Sequence, residues 1–301
     1  MHTRNLLLCF LVGVLCHIVT VPVPLKPTVL FGRYSIPNTT YVYDDVVAIE
    51  KNPFVYDART DWQELFTTRD FWGNVLAWAS SHKSYRPITS LTYRVQVLWD
   101  GSGIRSTSVK QSLHAFNVLL FGVVCACFYH VCAKLAQAAH LKGPLNSPSA
   151  HHNTHSARTA ADAAADAAAD AAADAATASK AVSNFALLAG LLFAAHPIHT
   201  EAVACLVGRG ELLSGLFFLL SLLAYEQSRG YVTRRQSPSW CGSITWYVVA
   251  ALLAFCSMLC KEQGVTVLAV WVLFDVLVAT AAHLGTVIVF SIFDSMYSLF
   301  F

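Results

Sequence analysis

Apolar residues in this chain fall in long unbroken runs divided by polar stretches, not in the short periodic patterns of elements that bury one face. A helix that crosses a bilayer needs about 20 mainly apolar residues. Six runs approach or meet that length: about Leu6–Leu25, Leu113–Leu135, Ala181–Ala195, Val203–Tyr225, Ile244–Cys260 and Val265–Leu284. The third is short unless its helix continues past Pro197. The pattern predicts an all-α polytopic membrane protein. Its segments are a first anchor, or signal-like segment, over 1–31; a long loop over 32–112; a span over 113–135; an Ala/Asp insert over 136–180; four further spans over 181–284; and an apolar tail over 285–301. Arg4 precedes the first run and no clear small-x-small site follows it, which favours an uncleaved anchor.

The polar stretches have patterns of their own. Thr60-Asp61-Trp62-Gln63 has the form of a capping box. Trp62, Leu65, Phe66, Phe71, Trp72, Leu76 and Trp78 follow, and this aromatic density predicts helices lying in the membrane interface; the core of a small luminal domain would read similarly. Ile88–Trp99 fits a helix or a strand. In the insert, Asp162, Asp166, Asp170 and Asp174 recur every four residues among alanines. Alanine favours helix, but a charge on each turn is too costly in hydrocarbon, so the insert reads as solvated and partly helical. His151, His152 and His155 nearby read as linker.

Composition sharpens the picture. The chain is 55% hydrophobic and 13% charged, against about 25% charged in a soluble domain. Its net charge of +2 comes without a basic stripe, which argues against a nucleic-acid partner. Eight of its nine cysteines lie in apolar runs and none lies in 32–111, so no disulfide framework is expected.

Lysine and arginine in short connectors set orientation. With six spans, Arg4, the group Lys134, Lys142, Arg158 and Lys180, and the group Arg229, Arg234 and Arg235 all fall on one side, which is then cytosolic. The long loop, the turn around His196–Glu201 and the turn at Lys261–Gly264 fall together on the luminal side.

Those segments hold the candidate chemistry. Asp44 and Asp45 are adjacent carboxylates just beyond the first span, either a general base and its neighbour or a pair of solvated acids. His82, Lys83, Tyr85 and Arg86 make an anion site or an interfacial basic patch. His196, His199 and Glu201 precede Arg209 and Glu211, which enter the fourth span; charges at membrane depth are functional or form ion pairs. The two histidines lack a further spaced ligand, so no metal is expected. Lys261 and Glu262 form a charged turn, and Asp275 is a lone acid deep in the sixth span. Asn38-Thr-Thr is a short glycosylation pattern.

Six motifs in one order carry a resemblance: Tyr43-Asp-Asp-Val-Val-Ala-Ile-Glu-Lys-Asn-Pro53, Asp70-Phe-Trp-Gly73, Ser81-His-Lys-Ser-Tyr-Arg-Pro-Ile-Thr89, His196-Pro-Ile-His-Thr-Glu-Ala-Val203, Gly208-Arg-Gly-Glu-Leu-Leu213 and Cys260-Lys-Glu-Gln-Gly-Val-Thr266. Together they resemble the transmembrane and tetratricopeptide repeat-containing (TMTC) O-mannosyltransferases. The resemblance implies a GT-C membrane fold in the endoplasmic reticulum, dolichyl-phosphate-mannose as donor, and Ser/Thr of cadherin-type or other secretory proteins as acceptor. It implies a luminal repeat array as well; no repeat of that period follows residue 284, so a product truncated before the repeats is expected.

By this resemblance Asp44 or Asp45 is the base. His82, Lys83, Arg86, Arg209 and Lys261 stabilise the leaving phosphate, and Glu201, Glu211 and Glu262 orient those cations. No cofactor is implied. A transporter would also line a path with intramembrane charges, and a non-catalytic scaffold would also keep the spans.

Overall fold

The computed structural model describes residues 2–21, 41–141, 160–230 and 240–280. These form the helices α1 (His2–His17), α2 (Pro53–Tyr56), α3 (Glu64–Thr67), α4 (Pro87–Asp100), α5 (Thr107–Leu141), α6 (Ala160–Ala195), α7 (His199–Ala204), α8 (Arg209–Arg229), α9 (Trp240–Cys260) and α10 (Val267–Thr280). Among the described residues there is no strand, only an isolated bridge between Arg69 and Val75.

Five stretches are long and apolar enough to cross a membrane: His2–Thr20, Thr107–Ala138, Asp166–Ala195, Leu206–Arg229 and Cys241–Cys260. Of the sixth expected run, Val265 and Thr266 end a 3-10 turn, the 14 residues of α10 are helical, and 281–284 lie outside the described residues. The Ala/Asp insert runs straight into the third span as one helix, α6, and Asp166, Asp170 and Asp174 on it are exposed. Pro197 is not inside that helix, which stops at Ala195.

Long-range bonds define the two ends of the bundle. At one end His2 Nε2 meets His130 Nδ1 at 2.9 Å, and Asn5 Nδ2 donates to Ser183 Oγ at 3.1 Å. At the end of α8 away from the long loop, Asp275 pairs with Arg229 at 3.2 Å and accepts from Tyr225 Oη at 2.8 Å, so the lone acid of the sixth span has a cation and a hydroxyl. Aromatic stacking fills the interior, with Phe128 against Phe193 at 4.1 Å and Tyr225 against Trp271 at 4.6 Å. Close approach uses small residues: a Cβ on Gly190 of α6 would sit 2.7 Å from Cys9 Sγ of α1. Leu188, Leu192 and Leu252 point outward, as lipid-facing residues do in the absence of any aqueous penalty.

The long loop packs on the other end. Buried Arg94 of α4 ties it together, donating to the carbonyls of Phe54, Asp57, Ala58 and Thr60 and to Thr60 Oγ1. Buried Asp70 accepts from the amides of Trp72 and Asn74 and from Ser81 Oγ. Ile88–Trp99 is helical: Pro87 supplies the first turn of α4, and Gly101, at φ +70°, ends it. The capping box does not form. Asp61 Oδ1, not Thr60, accepts from the Gln63 amide at 2.9 Å, while the Thr60 hydroxyl oxygen accepts from Arg94 Nη1 at 2.7 Å.

Candidate active site

The three segments assigned to the lumen meet at this end. The acid pair sits where the chain leaves Tyr43, at φ 46°, and enters a π-type turn over Val46–Glu50. The two carboxylates part there. Asp45 is 1% exposed and accepts from the Val207 amide at 2.9 Å and the Leu206 amide at 3.4 Å. Asp44 is exposed. Burial pushes the Asp45 carboxyl above the ordinary carboxylate value; the amide bonds pull against this, and the Asp44 charge adds to it.

The turn that Asp45 caps, Leu206–Gly208, is possible because residue 208 is glycine: a Cβ there would lie 2.3 Å from the Ala202 carbonyl oxygen. The same turn is held from the other side. Tyr93 Oη donates to the Leu206 carbonyl at 2.7 Å, and Asn117 Nδ2 donates to the Cys205 carbonyl at 3.3 Å.

Arg209 follows this turn and is fully buried. Its Nε donates to Asn117 Oδ1 at 2.9 Å and its Nη2 to the Leu113 carbonyl at 3.0 Å, with the Tyr93 and Phe116 rings 4.4 and 4.6 Å from the guanidinium carbon. It does not pair with Glu211.

Two of the candidate cations lie part-buried beside acids at this end. Arg86 pairs with Glu262 at 3.1 Å, and Lys261 pairs with Glu211. The charged turn between α9 and α10 therefore reaches in two directions, to the long loop and to α8. A cavity beside it is lined by Glu211, Ser214, Phe218, Lys261, Gln263 and Thr266.

The rest of the 81–86 segment is mainly spent on its own loop. Lys83, at φ 63°, donates through Nζ to the carbonyls of Leu76 and Trp78. His82 Nδ1 shares a hydrogen bond with Ser84 Oγ at 2.7 Å. Tyr85 Oη donates to the Phe66 carbonyl at 2.7 Å, and burial raises its phenol above the ordinary value.

His199 is buried against Phe121 and Phe193, at ring separations of 4.9 and 4.4 Å, and lines an apolar cavity together with Glu211. Burial pushes its imidazole down to about 4, with His17 and His196 adding to the effect. His196 and Glu201 are exposed. Among the described residues no three His, Cys, Asp or Glu side chains gather as metal ligands. Asn38, His151, His152 and His155 lie outside the described residues.

Arg94, Tyr93, Asn117 and Asp70 were not singled out in the sequence as organisers of this end. An arginine in the apolar pattern of Leu91–Leu98 and an asparagine inside the second span were the available signals.

Comparison with curated proteins gives 35% identity over 264 residues with Protein O-mannosyl-transferase tmtc2 of Xenopus laevis, 87% of this chain and 24% of that protein. The chain matches the TMTC family. Protein O-mannosyl-transferase TMTC4 of Mus musculus is 35% identical over 79% of this chain and 27% of its own length. Human TMTC3 is 33% identical over 79% of this chain and 20% of its own length. The chain thus spans about a quarter of the TMTC proteins it matches. No family model matches, and no solved structure matches.

Proposed function

We propose that this chain carries the base and phosphate-binding groups of a luminal protein O-mannosyltransferase of the endoplasmic reticulum membrane, with dolichyl-phosphate-mannose as donor and Ser/Thr of secretory or cadherin-type proteins as acceptor. The observation that carries the reading is the division of labour in the acid pair. Asp45 is locked under two amides, while Asp44 is held beside it with its carboxylate in solvent. The names of the TMTC relatives supply the reaction class.

In this reading Asp44 takes the proton of the acceptor hydroxyl as that oxygen bonds to the anomeric carbon. The bond from that carbon to the phosphate oxygen breaks, and the electron pair leaves with dolichyl phosphate. Phosphate is a good leaving group and needs no general acid. Arg86 and Lys261, cations paired with acids on either side of the turn between α9 and α10, stabilise its charge. Attack opposite the phosphate predicts inversion at the sugar carbon.

The test is mannose transfer in microsomes lacking related activity, with labelled donor and a cadherin domain, comparing wild type with Asp44→Asn. Transfer that vanishes in a folded Asp44→Asn protein supports the assignment. Transfer that persists, or a product of retained configuration, overturns it.

A further inference from the structure

The donors around Glu262 form a ready anion site that the protein fills with its own carboxylate. Glu262 Oε2 accepts from Arg86 Nε at 3.2 Å and Nη2 at 3.1 Å, and Glu262 Oε1 accepts from the Tyr85 amide at 3.2 Å. Two oxygens facing a guanidinium fork and a backbone N–H are the arrangement that also suits a phosphate.

The two sides of this contact differ in how firmly they are held. The Arg86 side chain is 19% exposed and stacks over Phe71 at 5.0 Å. Tyr85 is anchored by its hydroxyl on Phe66, and Pro87 begins α4 directly after Arg86. Glu262, by contrast, is 49% exposed and opens a short 3-10 turn. With one partner half in solvent, Glu262 can rehydrate as it leaves, so an incoming anion that takes over the Arg86 fork displaces it at modest cost. Lys261, next in the chain, points to Glu211, which leaves a second cation beside the same turn.

We infer that Glu262 is a built-in placeholder for the donor phosphate, occupying the Arg86–Tyr85 amide site when it is empty and competing with the dolichyl phosphate product for it. This rests on the proposed reading of Arg86 as a phosphate ligand. Its use follows from charge: the product is a phosphomonoester, with roughly one to two negative charges near neutral pH, whereas the donor diester has one. A site of bare cations would hold product more tightly than donor. A carboxylate that returns to Arg86 offsets this and helps the product leave.

The experiment measures binding of dolichyl phosphate to the 301-residue chain in phosphatidylcholine nanodiscs, with phosphate-free dolichol as control. Removing a competitor raises apparent affinity by the reciprocal of the fraction of sites it had left free. Glu262→Gln is expected to tighten dolichyl phosphate about tenfold, Arg86→Gln to lose it, and dolichol to be indifferent to both. Unchanged or weaker binding in Glu262→Gln, with loss in Arg86→Gln, overturns the placeholder and leaves the phosphate reading of Arg86 standing. Binding that survives Arg86→Gln overturns both. Glu262→Asp, one methylene shorter, is expected to tighten binding too, and it decides the matter if Glu262→Gln is recovered unfolded.

Discussion

The Val207 amide donates to the Asp45 carboxylate at 2.9 Å across 162 positions of sequence. This bond fastens the start of the long loop to the turn that opens α8, and so it sets where the adjacent Asp44 carboxylate stands. Asp45→Ala strips the acceptor from two amides and should cost about 2 kcal/mol of stability. Asp44→Asn changes an exposed group and should stay within about 0.5 kcal/mol while lowering mannose transfer at least about 100-fold. Thermal unfolding in detergent, run beside the transfer assay, separates the two. Equal destabilisation by both would contradict the division of roles.

Arg209 is a buried cation whose carboxamide and carbonyl partners both lie on α5. Removing a partner of a buried charge is costly, so Asn117→Leu should lower stability by about 3 kcal/mol. Arg209→Lys keeps the charge but loses the fork and should also destabilise. Unfolding midpoints unchanged in both variants would show that the clamp does not hold the bundle end.

His199 gives a pH dependence with a definite sign. Its imidazole ionises near 6.5 when unfolded and at about 4 in the folded chain. Between those values the unfolded state binds the extra proton, so acidification favours unfolding. Stability contributed by neutral His199 is present above pH 6.5 and is lost as pH falls toward 4, on the order of 3 kcal/mol across the window. His199→Phe, which suits the Phe121 and Phe193 surroundings, should flatten that part of the stability profile. A steeper acid loss in the variant would sink the assignment.

Lys261 and Glu211 test charge placement against charge presence. Either single substitution to Met should reduce transfer. The exchange Lys261→Glu with Glu211→Lys should recover stability, since the pair is re-formed, but not transfer, since the cation has moved from the turn onto α8. Full recovery of transfer would mean that position within the pair is immaterial.

Trp99 on α4 is 90% exposed, alongside Val95 at 58% and Leu98 at 38% on the same helix face. An interfacial helix accounts for such a stripe. With Trp99 as the sole tryptophan, brominated lipid should quench its fluorescence; quenching by aqueous iodide alone would place α4 away from the bilayer.

The sequence by itself determined the bilayer as solvent and the long helices that cross it. Hydropathy adds up along a run, so the apolar lengths name the spanning helices without any knowledge of neighbours. The pooling of charged motifs at one face was legible because alternating spans bring every second connector to the same side. Tertiary structure decided the surroundings of each charged side chain. It separated Asp44 from Asp45, enclosed Arg209 while leaving Arg86 and Lys261 beside replaceable acids, gave Asp275 its Arg229, and recruited Arg94 to bind the loop together. The reason is physical: burial and pairing depend on atoms far away in sequence, as when the Tyr85 amide meets a carboxylate 177 positions on, and no local pattern records who those neighbours will be.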